Sequence, residues 1–595
     1  MRRFLLQILL FWVVTAYPQS KPFDFRDRLN GKPIYESGYI DQPYVVVLDS
    51  REWLCVFTTG AGKEGTGGQH IVSSVSKDQG KSWSKPVRIE EPTTESASWA
   101  MPYKTNFGRV YVFYAYNGDK IHSLNGKENI REDMVGWYCY KYSDDKGKTW
   151  SKRYRLPIRV TAVDYGNDWA GKVQIMWGIG KPIDVGEKGM MFAFTKLGKY
   201  MLDNGEGWFI RCDNINTEKD ADKLQWRNLP EGDYGLRNPD FGSVQEEQNL
   251  VELSNGTLYC MFRTSMGHPA ESYSYDGGKT WTTPQIPAYY TGSLIKHPRA
   301  CPRIWKAQNG KYLFWQHVNS GTDFKYRNPV WISGGVEVNG KICWSQPEIL
   351  IYAPDVLKDR LSYPDLIEQD GKYWFTETNK EHGICHEINP DFLGDLWNQF
   401  YVRSIATKGL VINETGNDLI NKELTLPTIE EPSKGEGFTI DFVADITGLK
   451  EGQVICESRE KGGKGFWLEM GANYSVKFTM TDGAKTTSWS SDAGMIKFVG
   501  TTEISLIVDY RAKIISYVTN GVFNDGGKER VFGWGRLDNT MGAISTNKLK
   551  IGDIKTGGLL RTDNVIKAFR YYNRPLTVTE SIGNYRSQMN LQDFK

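Results

Sequence analysis

Six times before residue 378 the chain runs through one pattern: an apolar strand alternating with polar residues, a polar turn containing Gly, Asn or Asp, then an apolar-aromatic strand. The copies are VVVLDSREWLCVF, YKTNFGRVYVFY, DVGEKGMMFAF, VELSNGTLYCMF, IWKAQNGKYLFW and LIEQDGKYWFTE. Alternation with period two gathers one set of side chains on one face of a strand, and the turn residues supply the reversed backbone of a hairpin. A lone hairpin cannot bury both faces, so six such repeats of 50 to 80 residues are best satisfied by radial packing, as a six-bladed β-propeller. Helical periodicity is hard to find before residue 400. From about Lys408 the strands lengthen, as in GFTIDFVADI and TEISLIVDYRAKIISYVTNG, and predict a second all-β unit.

A turn motif supports the same count. Ser76–Trp83 (SKDQGKSW), Ser143–Trp150 (SDDKGKTW) and Ser274–Trp281 (SYDGGKTW) share Ser, Asp, Gly and a closing Trp, and their first serines lie 67 and then 131 residues apart. The doubled interval predicts a degenerate copy between them, met by Arg211–Trp226, and Ser333–Trp344 supplies a fifth position. Asp and Ser side chains bond a turn's own backbone, Gly takes a positive φ, and Trp packs between sheets, so Asp78, Asp145 and Asp276 are read as turn formers without a chemical role.

Composition and ends narrow the class. The opening MRRFLLQILLFWVVTAYPQS has two arginines, a short apolar run and Val14-Thr15-Ala16, which reads as an export signal over residues 1–16. The chain is therefore expected to be secreted or periplasmic, without membrane insertion, because its apolar run falls short of a bilayer span. A net charge of +2 argues against a nucleic-acid partner. Eight cysteines, scattered singly in apolar runs, read as buried thiols; no pair has metal-ligand spacing, and nothing calls for a metal or cofactor.

Each first strand opens near a recurrent proline, at Pro43, Pro102, Pro182, Pro302 and Pro364, with Asn249 in the fourth repeat. First strands line a propeller's channel, so the residues just before these positions should crowd one mouth. They include Asp41, Gln42, Trp99, Lys181, Glu247, Arg299 and Tyr363, a mixture of charges and aromatics unsuited to a purely structural ring. Among the seven histidines His70 stands out, because it ends the glycine-rich loop GAGKEGTGGQH that should overhang this mouth.

The Asp-containing turns, EQNLVELSNGTLYCMFR and SYPDLIEQDGKYWFTE together resemble the sialidase superfamily over roughly residues 30 to 405. That resemblance implies a glycosidase with Tyr363 as nucleophile, Glu247 as the base that takes its proton, and Arg263 and Arg327 as clamps on a substrate carboxylate. A tyrosine nucleophile suits a sugar bearing a carboxylate on its anomeric carbon, which would repel an anionic Asp or Glu. The chain departs from the family twice. The first clamping arginine is replaced by Asp41 in DQP, and the loop of the family's acid/base aspartate offers Glu64, Gln69 and His70, of which His70 is the candidate. Asp41 would oppose an anionic sugar unless an arginine such as Arg299 or Arg303 stands beside it, and without one sialic acid is not expected as the substrate. Gln69, Lys181 and Arg299 complete the substrate-binding candidates.

Near the C-terminus, KAFRYYNRPLTVTESIGNY resembles the closing strand and helix of concanavalin-like or laminin-G-like jelly rolls. The expected fold is all-β: a propeller over 21–407 followed by a β-sandwich over 408–595, whose Trp489 and Trp534 are either carbohydrate-binding platforms or core residues. The leading expectation is an exported exo-acting glycosidase acting on a glycan or polysaccharide. The alternatives are a non-sialic-acid glycosidase, a polysaccharide lyase using His70 and Tyr363, and a non-catalytic glycan-binding propeller.

Overall fold

The computed structural model describes residues 23–589 except 37, 125–126, 129, 356–359, 417–418, 420–421, 446–448, 461–462, 497–499, 545–546 and 553–565. The expected export signal, residues 1–16, lies outside the described residues. Each of the six hairpins forms the first and second strands of one blade. Blade one is Tyr39–Val47, Trp53–Gly60, His70–Ser76 and Val87–Arg88; blade two is Ala97–Lys104, Val110–Tyr116, Val135–Ser143 and Tyr154–Arg155. Blade three is Ile183–Val185, Gly189–Lys196, Glu206–Cys212 and Trp226–Leu229, joined to blade two by Gln174–Trp177, which pairs with both. Blade four is Gln245–Glu252, Leu258–Thr264 and Ala270–Ser274; blade five is Arg303–Lys306, Tyr312–Gln316, Val330–Val338 and Lys341–Trp344. Blade six is Ser362–Gln369, Lys372–Thr378 and Gly383–Ile388, and its outer strand is Lys32–Tyr35 from the other end of the chain. That pairing closes the ring.

The Asp-containing turns follow the third strands of blades one, two and four. Ser76 Oγ donates to Asp78 (2.9 Å) and accepts from Gly80 N–H (2.8 Å), while Asp78 takes Ser82 N–H (2.9 Å) and Oγ–H (2.6 Å). Ser143, Asp145 and Thr149 repeat this network, as do Ser274, Asp276 and Thr280. The two degenerate positions are closed differently. Asp213 bonds Arg211 (2.7 Å), and the Ser333–Trp344 segment is a tight hairpin at Asn339 and Gly340, both with positive φ (52° and 72°). A short helix, Pro390–Asn398, follows blade six; its apolar face buries Leu393, Leu396 and Trp397 against blade five, a helix that the strand-dominated sequence pattern hides. All eight cysteines are free thiols, seven of them buried.

The C-terminal strands form two sheets. One runs Leu410–Thr415, Ile566–Tyr572, Gly437–Ala444, Thr502–Asp509, Ile514–Thr519 and Val522–Phe523; the other runs Glu423–Thr425, Lys548–Ile551, Val454–Arg459, Gly465–Gly471, Ser475–Thr481 and Thr486–Ser490. Phe438, Phe442, Phe466, Phe478, Ile504 and Leu506 fill the space between them, as alternation predicts for a sandwich. The outer side of the first sheet packs Ile507, Ile514, Val518 and Phe523 against Val318, Trp331 and Tyr352 of the propeller. The closing helix Val578–Met589 joins this contact, its first N–H groups (Val578 2.9 Å, Thr579 2.6 Å) capped by Glu348 of the propeller. Burial raises the Glu348 carboxyl to about 7.

Candidate functional site

The inner strands of blades one, two, four and six share a device. Their pairing with the second strand slips between Asp41 and Tyr44, Ser98 and Met101, Glu246 and Asn249, and Ser362 and Asp365. Inside each slip one non-glycine residue takes a positive φ: Gln42 (51°), Trp99 (66°), Glu247 (57°) and Tyr363 (45°). A bulge re-aims a side chain at the expense of a ladder bond, and a left-handed non-glycine residue costs about 1–3 kcal/mol, so four at one end of the ring mark where the fold stores strain. Proline after Gln42 and after Tyr363 has no N–H to leave unpaired there. Gln42 turns to Gly178 O (3.2 Å), while Trp99, Glu247 and Tyr363 project into a cavity of about 240 Å³.

At the cavity's floor Tyr363 Oη donates to Glu247 Oε1 (2.8 Å), which also accepts from Arg263 Nη1 (2.6 Å); Arg263 Nη2 pairs with Glu246. All four residues are buried. Burial raises the Tyr363 phenol well above its usual range, and the charges of Glu247 and Glu64 push the same way, so the resting group is a neutral phenol. Trp99 meets its ring edge-on (5.8 Å, 74°), and Lys380 Nζ stands 4.1 Å from the ring centroid. A phenol bonded to a carboxylate is a nucleophile with its base in place, and the nearby ammonium favours negative charge developing on the oxygen.

Glu64 lines the cavity above this floor. It pairs with Arg131 (3.2 Å) and Lys380 (3.4 Å), and Arg131 also holds Asp133 (2.6 Å). Burial would raise the Glu64 carboxyl, but Lys380, Arg131 and Arg327 outweigh it and hold the group well below the carboxylate range. The facing wall carries Arg299, Arg327, Arg360 and Phe324. Among the described residues Arg327 is bonded to neutral acceptors, Ser362 Oγ (2.7 Å) and Arg299 O (3.1 Å). Arg299 and Arg360 flank the Phe324 ring at 5.6 and 5.3 Å, and among the described residues neither guanidinium meets a carboxylate. Such a wall suits an anionic group. Met134, Trp177, Met201 and Leu202 make the remaining side apolar.

A family model described as a BNR repeat-like domain matches residues 52–374, more than half of the sequence. The chain belongs to the BNR repeat-like domain family. Over 259 residues it is 22% identical to an anhydrosialidase from Macrobdella decora, covering 38% of this chain and 30% of that protein. A Trypanosoma rangeli sialidase in complex with sialic acid is 12% identical, with a TM-score of 0.41 over 95% of this chain and 97% of its own. An intramolecular trans-sialidase from Ruminococcus gnavus is 15% identical, with a TM-score of 0.44 over 62% of this chain and 98% of its own.

This BNR-repeat propeller brings Tyr363, Glu247, Arg263, Arg299 and Arg327 to one cavity, and several expectations need correction. His70 is not at the mouth. It begins the third strand of blade one and faces a separate open pocket with Tyr35, Pro86 and Arg88; burial lowers its pKa. The lyase expectation loses its proton carrier with it. Gln69 is buried as a brace of its own loop, donating to Lys63 O (2.7 Å) and accepting from Gly65 N–H (3.2 Å). Of the three loop candidates, Glu64 is the one that reaches the cavity. Lys181 lies at the opposite end of the channel, bonded to Val45 O (2.7 Å) and Asp365 (2.8 Å). Asp41 sits behind the cavity wall, and the cation beside it is Lys380 (2.7 Å) rather than an arginine; Arg303 lies over Tyr44 and Trp305 instead. Burial and Glu64 raise the Asp41 carboxyl against the pull of Lys380.

The sandwich tryptophans also differ from a sugar platform. Trp534 is buried in the contact with the propeller and donates to Val318 O (2.9 Å), and Trp489 packs beneath Arg530 (4.8 Å). Arg131, Arg360, Lys380 and Phe324 are cavity residues that sequence reasoning missed. A signal existed for three of them. Glu64, Arg131, Met201, Arg327, Phe324 and Lys380 all lie in connections between second and third strands, which end at the same mouth where first strands begin.

Proposed function

We propose that this propeller is an exported exo-acting glycoside hydrolase that removes a terminal acidic sugar. The observation that carries this reading is the buried chain Arg263–Glu247–Tyr363 facing Arg299, Arg327 and Arg360, which form no ion pair with a carboxylate among the described residues. Tyr363 Oη attacks the anomeric carbon while Glu247 takes the phenolic proton. The bond to the leaving oxygen breaks, and that oxygen receives a proton from Glu64. Water then attacks the anomeric carbon, giving a proton to Glu64, and the tyrosine oxygen departs with the proton returned by Glu247. Lys380, Arg131 and Arg327 hold down the Glu64 pKa in the empty cavity; a bound anion neutralises them and moves Glu64 upward, toward a carboxylic acid able to donate.

Arg327, Arg299 and Arg360 would hold the acidic group, and the apolar side would take the uncharged face of the sugar. With Lys380, not an arginine, beside Asp41, sialic acid is not the expected substrate, and another acidic sugar is. The test is release of free sugar from glycans ending in sialic, other ulosonic or uronic acids. Tyr363→Phe and Glu247→Gln should each lower kcat by about 10³-fold or more while still binding sugar, and a fluorinated substrate should label Tyr363. Products with a new ultraviolet-absorbing double bond would favour a lyase. Sugar binding without release by wild type would make the propeller a glycan-binding module.

A further inference from the structure

Blade five's second and third strands are joined by residues 317–329, the stretch that carries Phe324 and Arg327 to the cavity wall. It contains no regular structure, and fixing such backbone costs about 1–2 kcal/mol per residue, so tertiary contacts must hold it. The propeller supplies part of them, as in Arg299 N–H to Asp323 O (3.1 Å) and Asn328 Nδ2 to Ala353 O (3.0 Å), and the sandwich supplies a second set. Trp534 Nε1 donates to Val318 O (2.9 Å), Asn319 and Phe532 form an isolated antiparallel bridge, and Ser320 N–H donates to Val531 O (3.0 Å). Tyr326 meets Phe532 edge to face (5.2 Å, 85°), and Arg536 Nη2 donates to Asn328 O, the carbonyl next to Arg327.

We propose that residues Val531–Arg536 of the sandwich position Arg327 and Phe324, so that the C-terminal domain sets how tightly the cavity holds the acidic end of its substrate. The inference rests on the acidic-sugar reading above. Arg327 needs such support because, among the described residues, its head group bonds Ser362 Oγ and Arg299 O, neutral acceptors that do not fix a charged side chain as a carboxylate would. Arg536 is an unusual choice for domain adhesion alone. Its guanidinium is largely buried over Trp534 (4.8 Å) and, among the described residues, meets one carbonyl and leaves Nη1 without a partner, where an apolar residue would dock the domains without desolvating a charge. Its value lies in the carbonyl it grips.

The experiment uses the full chain. Arg536→Met keeps the packing over Trp534 and removes the donor, so KM for the released acidic glycan should rise roughly tenfold with kcat unchanged, and Arg536→Lys should recover most of the loss. Arg586→Met is the control at the same interface: it removes bonds to Gln399 O (2.6 Å) and Tyr290 Oη (3.0 Å) without touching 317–329, and should lower Tm while leaving KM alone. Amide exchange over 317–329 should quicken in Arg536→Met and not in Arg586→Met. Equal KM in the two variants, or unchanged exchange in Arg536→Met, overturns the proposal. If wild type releases no acidic sugar, the acidic-sugar reading falls, and the exchange comparison alone decides whether the sandwich segment holds the stretch.

Discussion

The two ends of the propeller's channel are framed by the same inner strands, and both carry charge, yet the charge is satisfied in opposite ways. At the far end, lysines are finished by backbone from other blades: Lys104 bonds Leu48 O (3.0 Å), Lys181 bonds Val45 O (2.7 Å), and Lys306 bonds Glu252 O (2.9 Å). At the cavity end, among the described residues, Arg299 and Arg360 meet no carboxylate, Arg327 bonds neutral acceptors, and Glu247 Oε2 and Glu246 Oε1 are buried without partners. A cation that closes a backbone gap is part of the wall. Polar atoms left over after the wall is complete are what a ligand can use; toward the far end Arg303 Nε and Asp365 Oδ1 are left over too, but at the cavity end such atoms are gathered around one cavity with Arg299, Arg327 and Arg360.

The largest expected effect comes from the cavity end. Arg263→Ala strips the shared partner from two buried carboxylates, Glu246 and Glu247, and should lower unfolding free energy by about 3–5 kcal/mol as well as abolish turnover, as denaturant titration and assay would read. Lys181→Met, at the far end, should destabilise by roughly 1–3 kcal/mol, since Asp365 keeps the Val45 N–H bond (2.8 Å), while leaving kcat/KM alone. A kinetic defect there would break the contrast between the mouths. Acid titration sharpens it further. Glu64 is held well below its ordinary value of 4.5, so its contribution to stability is complete above pH 4.5 and drains away as pH falls below that; Lys380→Met should flatten this acid limb. The smallest effect belongs to His70→Ala, which should leave kcat/KM within about twofold of wild type because its pocket is separate.

Much of this arrangement was legible in residue patterns, for identifiable reasons. The six hairpins could be counted because alternation and turn chemistry are local properties, and the same holds for the three complete Ser-Asp-Gly-Trp turns. Tyr363 and Glu247 are legible as mouth residues because they sit at one position in a repeat. Lys181 occupies that same repeat position in blade three, but no bulge reverses its backbone, so its side chain runs to the far end. His70 was misplaced by proximity in sequence: six residues before it, Glu64 sits at the tip of the same loop, whereas His70 has already entered a strand. Trp534 looked like a free aromatic because the surface that covers it belongs to blade five, some two hundred residues away in the chain, and no local pattern reports such a partner.

The four reversed residues have a wider consequence. Trp99, Glu247 and Tyr363 behave as bits in a fixed tool-holder, each re-aimed into the cavity by the same backbone kink, whereas Gln42 at that kink in blade one turns to Gly178 O. Chemistry at this mouth can therefore be rewritten by single substitutions without refolding a blade.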